Sequence, residues 1–483
     1  MSVAKLYIEN DAVGLAALVK QRQVSARELV EVAIHCIESL NQRLNAVISK
    51  RYDYARELAD GPLPDGPLSG VPFLLKDLAV EWEGFPITNG SAFFRDYKAT
   101  SSWEIAKRMK AAGLLPLGKT NVPENGYAGT TEPVFHGPTK NPWNPDIVPG
   151  GSSGGSAVAV ASGMMPIADA SDGGGSIRIP ASLNGLVGLK PSRGRTTFGP
   201  NIVDFWYGAA VFLCLSRSVR DTAAYLDATA GAAPGEPYAL PLPDKSYLSL
   251  LSDDGKTQAL RIGVVTSEPN GTGLGEEQRA ATAVAAKACE ALGHKVEEAS
   301  FKYDFDLMKQ LFIRITATNA AAFFDSAPTL VGREVTKSDV EAITWQVIEL
   351  GRSMTGVQHA KDIEAMRVFA RSVAQEIYQY DVFVTPTLPD LPHPTGWLKM
   401  NDSDFDTYNA RLFRDMTFTA PFNLSGQPAV SLPLCQARDG APLGVQFVGR
   451  IGDEATLITL AGQLEQALPW KGRRPKIFAS PSD

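Results

Sequence analysis

The 483-residue sequence is poor in the residues that most often carry chemistry, with four cysteines and five histidines. Cys36, Cys214, Cys289 and Cys435 are scattered without CxxC spacing, so they imply neither a zinc site nor a disulfide framework and suit a reducing compartment. Positive charge is also scarce. Lysine and arginine total 46 against 53 aspartates and glutamates, a net charge of −7, which argues against a protein that grips nucleic-acid phosphates. No run of about 18 apolar residues is present, so no membrane span is expected. The opening MSVAKLYIENDAV lacks the apolar stretch of a signal peptide, and a cytoplasmic location is expected. No internal repeat, low-complexity tract or clear linker divides the chain.

What is present is a large core. Hydrophobic residues make up 44% and charged residues 20%, and the length suits one large domain or two to three ordinary ones. Residues 11–60 read as two helices. The second opens at Ser25 with Glu28 three residues on, the pattern of a capping box. VPFLLKDLAV reads as a buried strand running into a loop, SSWEIAKRMKAAG as a helix closed by Gly113, and LLPLGKTNVPE as strand and loop. Residues 136–200 are dense in Gly, Pro and Ser, interrupted by the small-residue helix GGSAVAVASGMMP. Residues 231–258 read as a surface excursion. LRIGVV, VFVTPTLP and AVSLPL read as strands, 305–380 as mostly helical, and EATLITLAGQLEQAL as a closing helix. Strands alternating with helices indicate an α/β protein.

Two motifs match well-known patterns in letters only. GLLPLGKT (113–120) fits G-x-x-x-x-G-K-[ST], but a phosphate loop needs a strand before it and a helix after it, and here a helix precedes a strand-like LLPL. GGSSG (150–154) fits the nucleophile-elbow pattern around Ser152, but NPWNPDIVPG before it cannot be the central strand such an elbow requires. Histidine gives no local support for a Ser-His-Asp triad, although triads assemble across a fold. His136, the one histidine in the glycine-rich region, reads as a loop hydrogen bonder.

Lys76 closes the apolar run Val71-Pro-Phe-Leu-Leu. It is either a side chain reaching for solvent from a strand end or one held inside for a purpose. If held inside, desolvation would lower its proton affinity towards the range of a general base. SDGGGSIRIP (171–180) raises a matching question. It is either a flexible turn with an incidental serine, or a loop whose bare backbone N–H groups meet a carbonyl oxygen beside a serine nucleophile.

Together these pieces resemble the amidase signature family. LLKD (74–77) resembles its lysine motif, and PGGSSGGSAVAVASG (149–163) with SDGGGSIRIPASLNGLVGLKPSRGR (171–195) resembles its signature core. SARELVEVAI, YDVFVTPTLP, FTAPFNLSGQPAVSLPL and PLGVQFVGR extend the resemblance over nearly the whole chain. It implies one α/β domain with a central mixed, twisted sheet covered by helices on both faces. N-terminal helices would occupy 1–65, the catalytic core 66–230, a substrate-side excursion and helical cover 231–400, and a completing sheet and helix 401–483.

The resemblance further implies Ser176 as nucleophile, Ser152 as a proton relay behind a cis Gly151–Ser152 peptide, and Lys76 as base. The N–H groups of Gly173, Gly174, Gly175 and Ser176 would form the oxyanion hole. Ser153, Ser171, Asp172 and Arg178 would support the site from behind, Asp172 and Arg178 as an ion pair tying the glycine loop down. Ser171 stands where relatives often carry threonine, and Gly173 where many carry threonine, alanine or isoleucine; both changes would widen the acyl pocket. The implied reaction is hydrolysis of an amide through an acyl-enzyme, without metal or cofactor, by a chain that forms a homodimer. The aromatic segment 201–212 suggests an apolar, uncharged small-molecule amide, with anilides, esters and carbamates as further candidates. The signature text looks closest to hydrolases of the 6-aminohexanoate cyclic-dimer type. A glutamine-hydrolysing A subunit of a tRNA-dependent amidotransferase and a non-catalytic scaffold remain as alternatives.

Overall fold

The structure is a computed structural model that describes residues 1–200, 202–252, 258–269, 271, 273–401 and 404–480. Eleven strands form one mixed sheet in the order β1-β3-β2-β4-β6-β5-β10-β11-β9-β7-β8. They are β1 (Val47–Lys50), β2 (Pro72–Lys76), β3 (Leu115–Thr120), β4 (Ile167–Asp172), β5 (Val187–Lys190) and β6 (Val211–Ser216). The second half of the chain supplies β7 (Arg261–Val265), β8 (Lys295–Ala299), β9 (Val382–Pro386), β10 (Ala429–Gln436) and β11 (Pro442–Val448). β2 runs parallel to β3 and β4, and β7 runs parallel to β8 and β9, while β5, β6, β10 and β11 pair antiparallel.

Helices cover both faces, as expected. Gly154–Ala161 and Arg178–Asn184 pack on each other and on the middle strands. A second group, Val219–Thr229, Glu276–Ala291 and Glu454–Ala467, packs together over β5, β6 and β9–β11. All six residues of β3 and all five of β2 are buried. Strands covered on both faces read as continuous apolar runs rather than as alternation, which is why VPFLL and LLPL stood out in the sequence.

Local chemistry sets the helix starts. Ser25 accepts the Glu28 backbone N–H while Glu28 returns a bond to the Ser25 N–H, the expected capping box. Gly113 follows the helix Glu104–Ala111 with φ +87°, as a terminating glycine. The 305–380 region is helical as expected, with Phe305–Ser326, Ala342–Ser353 and Gly356–Ile377 as its main helices. Part of the expected surface excursion, 253–257, lies outside the described residues.

The glycine-rich region holds more regular structure than its composition suggested. Between 164 and 191 it contains β4, the helix Arg178–Asn184 and β5. Ser171 and Asp172 end β4 and do not belong to a loop. The phosphate-loop look-alike is β3, and Gly118 lies under β1, where a Cβ would meet the Ser49 carbonyl oxygen at 1.9 Å. No described helix is long and apolar enough to cross a membrane.

Candidate active site

β2 lies between β3 and β4, so the lysine at its exit has no route to water. Lys76 is fully buried. Its Nζ donates to Ser152 Oγ at 2.7 Å, to Ser171 Oγ at 2.9 Å and to the Ser171 carbonyl at 3.4 Å. Burial lowers its pKa to about 7, against the opposing pull of the Asp169 and Asp172 carboxylates. Of the two readings of Lys76, the structure selects the lysine held inside.

Ser152 is 2% exposed and follows a cis Gly151–Ser152 peptide. It precedes the helix Gly154–Ala161, whose residues are all buried. Their small size lets this helix lie against the sheet and brings the Ser152 turn onto the end of β2. Ser153 ties the two serine segments together. Its N–H donates to the Ser176 carbonyl, and its hydroxyl donates to the Ser171 carbonyl at 3.2 Å.

Ser176 sits past the end of β4, two residues before the helix Arg178–Asn184, and is only partly covered. It is the only serine among the described residues that line an open, largely apolar cleft. The glycines before it are constrained by the cleft wall. A Cβ on Gly173 would meet the Trp206 ring at 2.4 Å, and one on Gly174 would meet Met416 Cε at 2.4 Å and the Phe312 ring at 2.9 Å. Gly175 has φ +138°, and a Cβ there would meet Ile179 Cδ1 and Thr419 Oγ1 at 2.6 Å. The chain at 173–175 is therefore a packed segment and not a loose turn.

Asp172 organises this segment. Its carboxylate accepts the N–H of Gly175 at 2.8 Å, of Ile177 at 3.1 Å and of Arg178 at 3.4 Å, satisfying donors at the start of the following helix. Burial would raise its pKa, but Arg178 at 2.9 Å, helped by Lys190 and Asn423, holds the carboxyl well below the usual carboxylate range. Arg178 also bonds Gln446 Oε1 at 2.8 Å, Asn423 Oδ1 at 2.6 Å and the Thr419 carbonyl at 3.0 Å. Since the Gly175 N–H points at Asp172, three of the four expected donors remain. The N–H groups of Gly173, Gly174 and Ser176 have no hydrogen-bond partner among the described residues.

The expectation that Ser171 and Gly173 shape the acyl pocket is not met. Ser171 is buried against Lys76, Asp172 faces Arg178, and Gly173 lies under Trp206. The cleft is shaped by apolar side chains from more distant segments. Phe312 and Ile313 come from Phe305–Ser326, Ile343 and Val347 from Ala342–Ser353, and Leu412 and Phe413 from the helix Phe405–Asp415. Trp206, from the aromatic segment, also lines it, facing Tyr127 with nearly parallel rings. No charged side chain and no histidine is among the described lining residues. His136 bonds Thr88 Oγ1 at 2.9 Å, a loop contact as expected.

Sequence reasoning missed four parts of this site. The helix Phe405–Asp415 carried a signal, with Asp404 as cap and Phe405, Tyr408 and Leu412 on one face. The 126–129 segment and the Thr419–Asn423–Gln446 cluster around Arg178 carried none, being assembled across more than 240 residues of chain. Asp169 was passed over, in a segment to which the sequence reading assigned no strand.

Comparison with known proteins agrees with this geometry. The amidase family model matches residues 28–458. A 6-aminohexanoate-cyclic-dimer hydrolase from Paenarthrobacter ureafaciens is 38% identical over 99% of this chain and 98% of its own. A solved 6-aminohexanoate cyclic dimer hydrolase complexed with substrate superposes with a TM-score of 0.93 at 38% identity, covering 98% of this chain and 100% of the other. A bacterial aryl acylamidase of the amidase signature family superposes with a TM-score of 0.86 at 29% identity, covering 96% and 97%. A buried lysine–serine contact beneath a glycine-lined cleft, on a chain that matches these proteins from end to end, makes this protein an amide hydrolase of the amidase signature family.

Proposed function

We propose that this enzyme hydrolyses small, uncharged, largely apolar amides through an acyl-enzyme on Ser176, with Ser152 and Lys76 as the proton relay. The observation that carries this reading is the 2.7 Å contact between the Lys76 amine and Ser152, buried beside a cleft whose only serine among the described lining residues is Ser176. At neutral pH a large share of Lys76 is uncharged and can accept a proton. The hydroxyl proton of Ser176 passes to Ser152 while Ser152 passes its own to Lys76, so no net charge leaves the buried site. Ser176 Oγ then attacks the amide carbonyl. The oxyanion is met by the N–H groups of Gly173, Gly174 and Ser176, with Gly175 contributing the backbone turn that aims them. Ser152 returns the proton to the leaving amine, and water releases the acid by the same relay. Ser153 and Ser171 hold the two ends of the relay, and Asp172 with Arg178 fixes the glycine segment.

The substrate class follows from the lining. A cleft whose described lining is largely apolar and uncharged favours a neutral amide, and the relatives named for a cyclic amide dimer and for aryl acylamides fall in that class. The glutaminase alternative fares worse on one observation: glutamine carries an ammonium and a carboxylate, and no charged side chain is among the described residues lining the cleft to receive them. A panel of cyclic amides, anilides, aliphatic amides, esters, carbamates and glutamine, with products identified by mass spectrometry, tests the reading. Turnover of neutral amides is expected, and turnover of glutamine alone would overturn it.

A further inference from the structure

Asp169 sits on β4 at 1% exposure, two residues before the serine that holds Lys76. Its Oδ2 accepts the Lys76 backbone N–H at 3.2 Å. Its Oδ1 is buried with no hydrogen-bond partner among the described residues. A carboxylate half satisfied in the interior is costly, and a purely structural contact to one N–H does not require a charged group. Asparagine or serine would accept that bond as well. What a carboxylate adds is charge, placed beside the one lysine that the relay depends on.

We propose that Asp169 is a positioning residue for amide hydrolysis, holding the end of β2 and setting the charge carried by the Lys76 amine. This rests on the reading of Lys76 as the base. The groups facing Asp169 are Lys76 on β2, Lys119 on β3, Cys214 directly across the ladder on β6, and Tyr225 on Val219–Thr229. Lys76 also faces Asp172, which is paired with Arg178, and Lys119 also faces Asp77 and Glu81. Lys119 is fully buried, its Nζ donating to the Val80 carbonyl at 3.4 Å, and its charge favours the ionised form of Asp169. Burial strips the proton from Lys76 and Asp169 opposes that, so the amine stays poised near neutrality. Burial also raises Asp169 to about 7, so the two groups titrate in one pH range.

The sign follows. Removing the negative charge disfavours the lysine cation, so the acid limb of the pH profile should move to lower pH in Asp169→Asn, by roughly one unit. Asp169→Ser is a second uncharged variant that can still accept the Lys76 N–H. The experiment measures the labelling rate of Ser176 by a fluorophosphonate against pH, in the wild type, both variants and Lys76→Ala. A limb displaced to lower pH in either folded variant supports the proposal. If Lys76→Ala is inert while the limb of the folded Asp169 variants coincides with that of the wild type, the proposal fails and the base assignment stands. If Lys76→Ala labels at the wild-type rate, the base assignment fails first.

Discussion

The amine of Lys76 stands 2.7 Å from Ser152 Oγ, in a position that neither side chain can leave for water, at 0% and 2% exposure. A lysine in such a place is a liability for folding and an asset only for proton transfer. The pH dependence of stability should therefore reveal it. The folded pKa is lowered to about 7 from 10.5. Between those values the unfolded chain binds the proton that the folded chain has given up. Stability therefore rises with pH through this window, by about 1.4 kcal/mol per unit at most. Chemical denaturation at both ends of the window should show the wild type gaining on Lys76→Met, which lacks the group. Parallel curves would mean that the amine is not desolvated.

Activity should follow the same group with its own sign. The relay needs the uncharged amine, so kcat/KM should fall as pH drops below about 7 and level off above it. A pH profile for a neutral amide checks this, and a flat profile down to pH 5 would speak against lysine as base.

The glycine before the proposed nucleophile, Ser176, should tolerate no side chain. Gly175 has φ +138° and no room for a Cβ between Ile179 and Thr419. Gly175→Ala should distort the N–H array and lower kcat by about 10²–10³, the cost of losing an oxyanion donor, with a stability loss of about 1–3 kcal/mol. Steady-state kinetics with thermal unfolding separate the two effects.

Arg178 and Asp172 are both fully buried and paired at 2.9 Å. Removing one partner leaves the other charge without compensation. Arg178→Met should cost about 3–5 kcal/mol in denaturant unfolding. A loss near zero would mean that the pair does not hold the glycine segment.

Specificity should respond at the helix that sequence reading overlooked. Leu412 lines the cleft from Phe405–Asp415 and is only partly buried. Leu412→Ala should enlarge the cleft and shift kcat/KM towards bulkier acyl groups by roughly tenfold, the scale of a few methylenes. A competition assay between small and bulky amides reads the ratio directly.

The legibility of this protein in its sequence follows physical range. Ser25 with Glu28, Gly113 and the apolar runs of β2 and β3 are local signals, and each appears in the structure as read. Lys76, Ser152 and Ser176 were found because an unusual lysine and an unusual glycine run stood beside a long family resemblance, and the fold brings their segments together. Ser171 and Asp172 were read as loop and β4 was not recognised, because IADASD is small and polar, yet the strand is entirely buried. Its aspartates are held by Arg178, Lys76 and Lys119, partners that no local window contains. The cleft wall was the least legible part, since its side chains come from segments between Gly126 and Met416 that meet only in three dimensions.

The central claim is that Ser176 carries the acyl group and that Lys76 activates it through Ser152. Peptide mass spectrometry after treatment with a fluorophosphonate tests this most directly. The account predicts a single adduct on the peptide bearing Ser176, lost in Ser176→Ala and strongly reduced in Lys76→Ala and Ser152→Ala, with the fold intact by circular dichroism. An adduct on a different residue, or amide hydrolysis that persists at the wild-type rate in Ser176→Ala, would contradict it.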